Sequence, residues 1–280
     1  MKRVNQSLST FDSLSVISKI NRNQDVVPDD YFLTVFNKAM EVSEITGGAF
    51  DITVAPMVNV WGFGFKHKEQ VTDELLDSLK VLVGYQKVRI SGNRVIKDHP
   101  NTMLDCSAIA KGYGCDVVGN FLAAKGCKNY MVEIGGEVVA HGVNAKGNDW
   151  SIGVSRPVDD PSPVNQELKA IVSLKDKALA TSGNYRNFYV EGGKKYAHTI
   201  DPKTGYPIQH SLLSSTVLAD DCMTADAFAT AFMVLGLDEA KRIAGQVKGL
   251  EVYFIYSGEN GEMKTWFSDG FREMLDKELD

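Results

Sequence analysis

The stretch from Cys222 to Gly236, Cys-Met-Thr-Ala-Asp-Ala-Phe-Ala-Thr-Ala-Phe-Met-Val-Leu-Gly, constrains this chain more than any other. Its periodicity predicts a helix. Ala225, Ala229 and Phe232 share one face, which Phe228 and Met233 broaden, and the alanines allow close packing. Into this apolar helix the sequence sets Asp226 and Thr230, four residues apart and so one above the other. Two partners suit them. One is local: a threonine hydroxyl can bond the carbonyl four residues back, and an aspartate can cap. The other is a hard cation such as Mg²⁺, which takes one or two protein oxygens and completes its shell with substrate phosphates.

The chain has 280 residues, 44% hydrophobic and 24% charged, enough to bury a sizeable core as one large domain or two intimate lobes. A net charge of −6 argues against nucleic acid as the main ligand. An acidic chain that handles phosphates must do so through local amides, a metal, or a few placed cations. Cys106, Cys115, Cys127 and Cys222 form no C-x-x-C pair and no metal-ligand spacing, so buried thiols are expected. No stretch approaches the roughly 18 apolar residues of a membrane span. No signal-peptide pattern follows the opening Met-Lys-Arg.

In order, the sequence predicts a helix ending near Ser9, a turn at Thr10 to Ser13, and a helix from Tyr31 to Thr46. Pro28-Asp29-Asp30 starts the second helix and Gly47-Gly48 ends it. Trp61-Gly62-Phe63-Gly64 places glycines between aromatics, marking backbone that comes close to something flat or to another segment. Core packing is the plainer reading of the aromatics. Residues 73–83 read as a short amphipathic helix, and 87–90 with 94–97 as a hairpin. Met103 to Tyr113 reads as strand, turn and helix, with Ser107 as N-cap and the helix running to Ala124. Asp105 and Lys111 flank its N-terminus, where free amides favour anions.

Beyond that helix, 129–134 reads as a buried strand, broken at Gly135-Gly136-Glu137 before Val138 to Ala140. Strands are expected at 150–154 and 167–174, joined by a proline-rich surface loop at 157–163. A hairpin over 188–190 and 195–199 turns at Glu191-Gly192-Gly193-Lys194 and delivers His198 beside the tight turn Asp201-Pro202-Lys203-Thr204-Gly205. A histidine at a strand end is commonly structural. Imidazole titrates near neutrality, however, and a nearby Ser-Gly segment makes a catalytic role the alternative. Residues 238–247 continue helically, and 250–255 with 263–267 close the sheet.

Several segments together resemble one family, the FAD:protein FMN transferases or ApbE proteins. They are Thr46-Gly47-Gly48-Ala49-Phe50-Asp51 with Pro56 and Trp61-Gly62-Phe63-Gly64; Asp105-Cys106-Ser107-Ala108-Ile109-Ala110-Lys111-Gly112; Ile134-Gly135-Gly136-Glu137; Thr181-Ser182-Gly183; His198-Thr199-Ile200-Asp201-Pro202 with Thr204-Gly205 and Pro207; and Met223-Thr224-Ala225-Asp226 with Thr230. The resemblance implies one mixed α/β domain over residues 1–280, of α+β type, with largely antiparallel sheets flanked by helices and the flavin in a cleft between lobes. It implies Mg²⁺-dependent transfer of FMN from FAD to a Thr or Ser hydroxyl of an acceptor protein, releasing AMP. Ala49, Phe50, Asp51, Asp105, Lys111 and Ile200 would line the FAD site. Phe11 stands where relatives commonly carry a tyrosine that can stack on a flat ring. The main-chain carbonyl of Ala108 and the side chains of Asp226 and Thr230 would hold the metal, and His198 would be the general base.

Two departures accompany the resemblance. Some relatives place a second carboxylate where this chain has Ala229, so weaker metal binding is expected. The family's early Met-Gly-Thr strand is not found ahead of Val4, so a domain short of that strand and of the family's signal is expected. The implied acceptors are subunits of membrane redox complexes, of the Na⁺-translocating NADH:quinone reductase or Rnf type. The implied compartment is the periplasm, where relatives are often lipid-anchored. An FAD pyrophosphatase giving FMN and AMP, and a flavin-binding protein without turnover, remain the alternatives.

Overall fold

The computed structural model describes residues 1–64, 70–158, 167–184, 188–191 and 194–279. The chain divides into two compact units, Met1–Ala110 with His198–Ile208, and Lys111–Ala197 with Gln209–Asp280.

In the first unit, α1 (Lys2–Leu8), α2 (Val16–Asn21) and α3 (Asp30–Ile45) come first. Each start after α1 has a side-chain cap: Ser15 accepts from the Ser18 amide at 3.1 Å, and Asp29 from the Phe32 amide at 2.9 Å. Helix α3 ends where expected. Gly47 and Gly48 take φ of +58° and +86°, and the Gly48 amide returns to the Ser43 carbonyl at 2.7 Å. Then come α4 (Ala55–Val60), α5 (Asp73–Lys80) and the hairpin of β1 (Val88–Ser91) with β2 (Arg94–Lys97). Helix α4 is not assigned from the sequence, although Pro56 sits in its first turn, where no amide is missed.

The expected strand at Met103 to Asp105 does not form. Its backbone groups are satisfied elsewhere: the Asn21 side chain bonds both the amide and carbonyl of Leu104, at 2.8 and 2.9 Å, and the Asp105 amide reaches the Ile52 carbonyl at 2.7 Å. Ser107 is not the N-cap either. A turn intervenes, in which the Asp105 carboxylate accepts from the Ser107 amide at 2.9 Å, and α6 (Ala110–Ala124) begins at the end of the unit's main segment.

The second unit carries β3 (Tyr130–Ile134), β4 (Glu137–His141), β5 (Trp150–Ser155), β6 (Leu168–Leu174), β7 (Lys177–Gly183), β8 (Phe188–Glu191) and β9 (Lys194–Ala197). It continues through β10 (Leu212–Ala219), α7 (Cys222–Leu235), α8 (Leu237–Ala244), β11 (Glu251–Ser257), β12 (Met263–Phe267), α9 (Asp269–Met274) and β13 (Leu275–Glu278). Six strands pair antiparallel in the order β12-β11-β10-β7-β4-β3, and three more in the order β13-β6-β5. Val138, Leu179, Leu218, Tyr253 and Ile255 of the large sheet meet Ile152, Val154, Val172 and Leu174 of the small one in a common core. Helix α7 covers the other face through β7 and β10.

That arrangement explains two strands the pattern does not announce. β7 and β10 are buried on both faces, so they lack the alternation of a half-exposed strand, and β7 uses Ala178, Ala180 and Ser182 to let α7 approach. Conversely, β3 is an edge strand in which only Val132 is buried, not the buried strand expected. Most of the proline-rich connector and the Gly192-Gly193 turn lie outside the described residues. Cys106, Cys115 and Cys222 are buried free thiols as expected, whereas Cys127 is exposed.

The start of α7 is tied down twice. Asp221 caps it, accepting from the Thr224 amide at 2.7 Å, and Asp116 of α6 accepts from the Cys222 and Met223 amides, each at 2.8 Å. Replacing the cap alone, Asp221→Ala, is expected to cost about 1 kcal/mol in urea denaturation. A loss below about 0.3 kcal/mol would mean that Asp116 carries the helix start unaided.

Candidate functional site

In the second unit the candidate side chains gather where the N-terminal halves of α6 and α7 meet the start of β4. Asp226 is 3% exposed, and its Oδ2 accepts from the Gly112 amide at 2.9 Å. No side chain at position 112 would permit that approach: a Cβ there would stand 2.3 Å from the Cys222 carbonyl oxygen and 2.8 Å from Cβ of Asp226. Burial, then the nearby charge of Glu137, push the Asp226 carboxyl up to about 7, against the pull of Lys111 and the Gly112 amide. Lys111 forms an ion pair with Glu137. Its own burial works against its charge, but Asp226 and Glu137 outweigh this and raise its pKa. Glu137 is buried, and its Oε2 has no hydrogen-bond partner. Asp116, at the α7 start, is pushed up to about 6 by burial despite its two amide donors.

One helical turn beyond Asp226, the Thr230 hydroxyl meets the Ser182 hydroxyl of β7 at 3.2 Å. Ser215 of β10 pairs in register with Ser182, and its buried hydroxyl has no partner. Asp226 and Thr230 therefore do stack on one face as the spacing requires. The helix around them is buried nearly all round rather than on one stripe.

In the first unit, Ala49 and Phe50 are buried at 4% and 2% exposure, and Asp51 at 7%. Asp51 accepts from the Thr53 amide at 2.8 Å and the Thr53 hydroxyl at 2.6 Å, with burial raising its pKa against these bonds. Asp105 lies next to this segment through its amide bond to Ile52, and burial raises its pKa too. The 198–208 segment folds back as a turn: Ile200 bridges Pro207, the Gly205 amide reaches Asp201, and the Trp61 indole donates to the Gly205 carbonyl at 2.7 Å. Trp61 is thus a core residue with its polar end satisfied. His198 is half-buried and meets Phe63 edge-on, ring centres 6.5 Å apart. Ala108 is half-buried in the turn before α6, and Phe11 is 85% exposed.

The structure thus brings together Ala49, Phe50, Asp51 and Asp105 in one unit, and Lys111, Asp226 and Thr230 in the other. Glu137, Asp116 and Ser182 join the second cluster without having been singled out by sequence as site residues. A glutamate opening the apolar run Val138 to Ala140 was the available signal, since burying a carboxylate needs a paired cation. Among the described residues no three His, Cys, Asp or Glu side chains form a metal-holding group. The oxygen-only donors at Asp226 and Thr230, with an unpartnered buried Glu137 oxygen nearby, fit a hard cation that keeps most of its waters, as Mg²⁺ does.

The model of the ApbE family matches residues 1–254. An FAD:protein FMN transferase of Vibrio cholerae is 39% identical over 282 residues, covering 99% of this chain and 83% of the relative. One from Haemophilus influenzae is 39% identical over 286 residues, with 99% and 81% covered. Among solved structures, the flavin transferase ApbE from Vibrio cholerae superposes with a TM-score of 0.86 at 39% identity, covering 98% of this chain and 87% of that one. The apbE protein from Thermotoga maritima does so with 0.85 at 30% identity, covering 99% and 89%. On the family match, the sequence identities and the shared antiparallel α/β fold, this chain belongs to the ApbE family.

Proposed function

We infer that this chain transfers FMN from FAD to a Thr or Ser hydroxyl of an acceptor protein, releasing AMP, with Mg²⁺ at Asp226 and Thr230. Transfer of FMN from FAD to a protein is the activity named for its relatives. The observation that supports the metal is the buried Asp226 carboxylate, which burial and Glu137 hold near neutral pKa and which gains most from a cation. When bound, Mg²⁺ supplies a positive charge for the pyrophosphate oxygens on which charge develops.

The chain's own residues do the rest. Lys111, in the first turn of α6 and half exposed, offers an ammonium to the phosphates. Ala49, Phe50, Asp51, Asp105 and Ile200 are proposed to hold FAD, with Phe11 available to stack, and the Ala108 carbonyl is proposed as the third metal ligand. His198 is proposed to take the proton from the acceptor hydroxyl. The new oxygen–phosphorus bond then forms on the FMN phosphorus as the pyrophosphate bond breaks and AMP leaves. The acceptor class the resemblance implies, subunits of membrane redox complexes met in the periplasm, belongs to the same proposal. Among the described residues no helix is long and apolar enough to cross a membrane.

Incubation with FAD and Mg²⁺, with and without an acceptor peptide, tests this through AMP release and peptide mass. AMP together with a peptide heavier by one FMN is the expected result. AMP without modified peptide would replace transfer by hydrolysis, and bound FAD without AMP would leave only a carrier. His198→Ala is expected to slow transfer roughly a hundredfold or more. Near-normal rates at every pH would remove His198 from the chemistry.

A further inference from the structure

Among the described residues, Glu137 is a charged side chain with a buried oxygen that has no hydrogen-bond partner. It opens β4 after a two-residue turn in which Ile134 and Glu137 face each other and Gly135 and Gly136 take φ of +65° and +102°. That turn fixes the side chain inward, where it is 3% exposed, with Oε1 held by Lys111. Its second oxygen is buried and meets no donor. A carboxylate oxygen stripped of water and left bare is costly, and native structures retain such a group where a bound species completes it.

The missing donor can be identified from the charges around it. Asp226 and Glu137, both buried, set two carboxylates against the single ammonium of Lys111. The cluster lacks positive charge as well as one O–H or N–H donor. A hydrated divalent cation brings both: the charge from the ion, the donor from a water in its shell. A free organic cation would also add charge, but the hydroxyls of Thr230 and Ser182 supply oxygens suited to a hard ion.

We propose that Glu137 is a positioning residue for the metal, its free Oε2 accepting a hydrogen bond from a water bound to the cation that Asp226 and Thr230 hold. This rests on the reading of Asp226 and Thr230 as metal ligands. Partners one step beyond the ligands commonly tune affinity by 10- to 100-fold. Lys111 then opposes the cation's charge while helping to orient Glu137, so the two halves of the ion pair act on metal binding in opposite directions. An ion pair serving only to hold β4 against α6 would act the same way whichever half were removed.

The test uses flavin-free protein and Mn²⁺ as the probe, with free ion counted by electron paramagnetic resonance and Mg²⁺ added as competitor. Glu137→Gln keeps the shape, and is expected to weaken Mn²⁺ binding by about tenfold. Lys111→Met is expected to bind Mn²⁺ at least as tightly as wild type. Wild-type affinity in Glu137→Gln would overturn the proposal, as would equal weakening in both variants. Should Glu137→Gln lose its thermal transition, Lys111→Met decides alone: undiminished binding supports the proposal and weakened binding overturns it. Asp226→Ala separates the two layers of the argument. If it abolishes Mn²⁺ binding while Glu137→Gln does not change it, only the role of Glu137 falls; if it too binds as wild type, the metal reading falls with it.

Discussion

Asp226→Asn is expected to abolish most flavin transfer and at the same time to make the flavin- and metal-free protein more stable above neutral pH. The activity loss follows from removing the one charged ligand proposed for the cation. Stabilisation of pyrophosphate cleavage by a metal is worth several kcal/mol, which corresponds to a fall on the order of a thousandfold. The stability gain has the opposite sign because the carboxylate is buried at 3% exposure. Its folded pKa is raised from 3.8 to about 7, so the native state holds the proton more tightly than the unfolded chain does. Stability is therefore lost as pH rises from about 4 to about 7 and stays lost above that. At about 1.4 kcal/mol per unit, the asparagine variant should gain on the order of 2–4 kcal/mol at pH 8 and almost nothing at pH 4. Asparagine can still accept the Gly112 amide through its carbonyl oxygen, so the helix contact survives. Urea denaturation in chelator at the two pH values measures this. A variant less stable than wild type at pH 8, or one that keeps its transfer rate, would show that Asp226 is an ordinary structural carboxylate.

The spacing of Asp226 and Thr230 could be read because a helix is the one local structure whose geometry sequence alone fixes: four residues bring two side chains together whatever surrounds them. The apolar residues about them signalled burial, and the structure buries them more completely than one stripe would. What the sequence did not reveal depends on contacts between distant segments. β7 and β10 are central strands whose small or uninterrupted apolar residues answer to α7 and to the second sheet, and neither neighbour leaves a mark in local periodicity. The strand expected at Met103 to Asp105 failed for the same reason. Asn21, far away in sequence, takes the hydrogen bonds that a ladder would have used. Glu137 reads locally as the end of a glycine turn, and only the pairing of β3 with β4 turns it inward to Lys111. His198 is the intermediate case. The hairpin before it and the turn after it were both legible, and they place it, but its ring contact with Phe63 depends on how the aromatic-glycine segment packs.

Gly112→Ala is expected to destabilise the protein by about 3 kcal/mol or more, although alanine is the better helix former by about 1 kcal/mol. The residue lies in the third position of α6 without a left-handed backbone, so nothing in its own conformation forbids a side chain. What forbids it is α7. A methyl group at 112 would stand 2.3 Å from the Cys222 carbonyl oxygen and 2.7 Å from its carbon, and both are backbone atoms that no rotamer change can move. The first turn of α7 cannot easily retreat, because Asp116 holds its Cys222 and Met223 amides and Asp221 caps Thr224. Relief requires the two helices to part against those bonds, and that motion also breaks the 2.9 Å bond from the Gly112 amide to Asp226. The variant should therefore melt roughly 6–12 °C lower, at 2–4 °C per kcal/mol for a chain of this size. It should also gain less stability from Mg²⁺ than wild type does, since Asp226 loses the donor that orients it. Melting curves with and without Mg²⁺ measure both effects. A variant as stable as wild type would mean that the two helices can part at this point without loss, and that their close approach does not set the geometry of the proposed metal site.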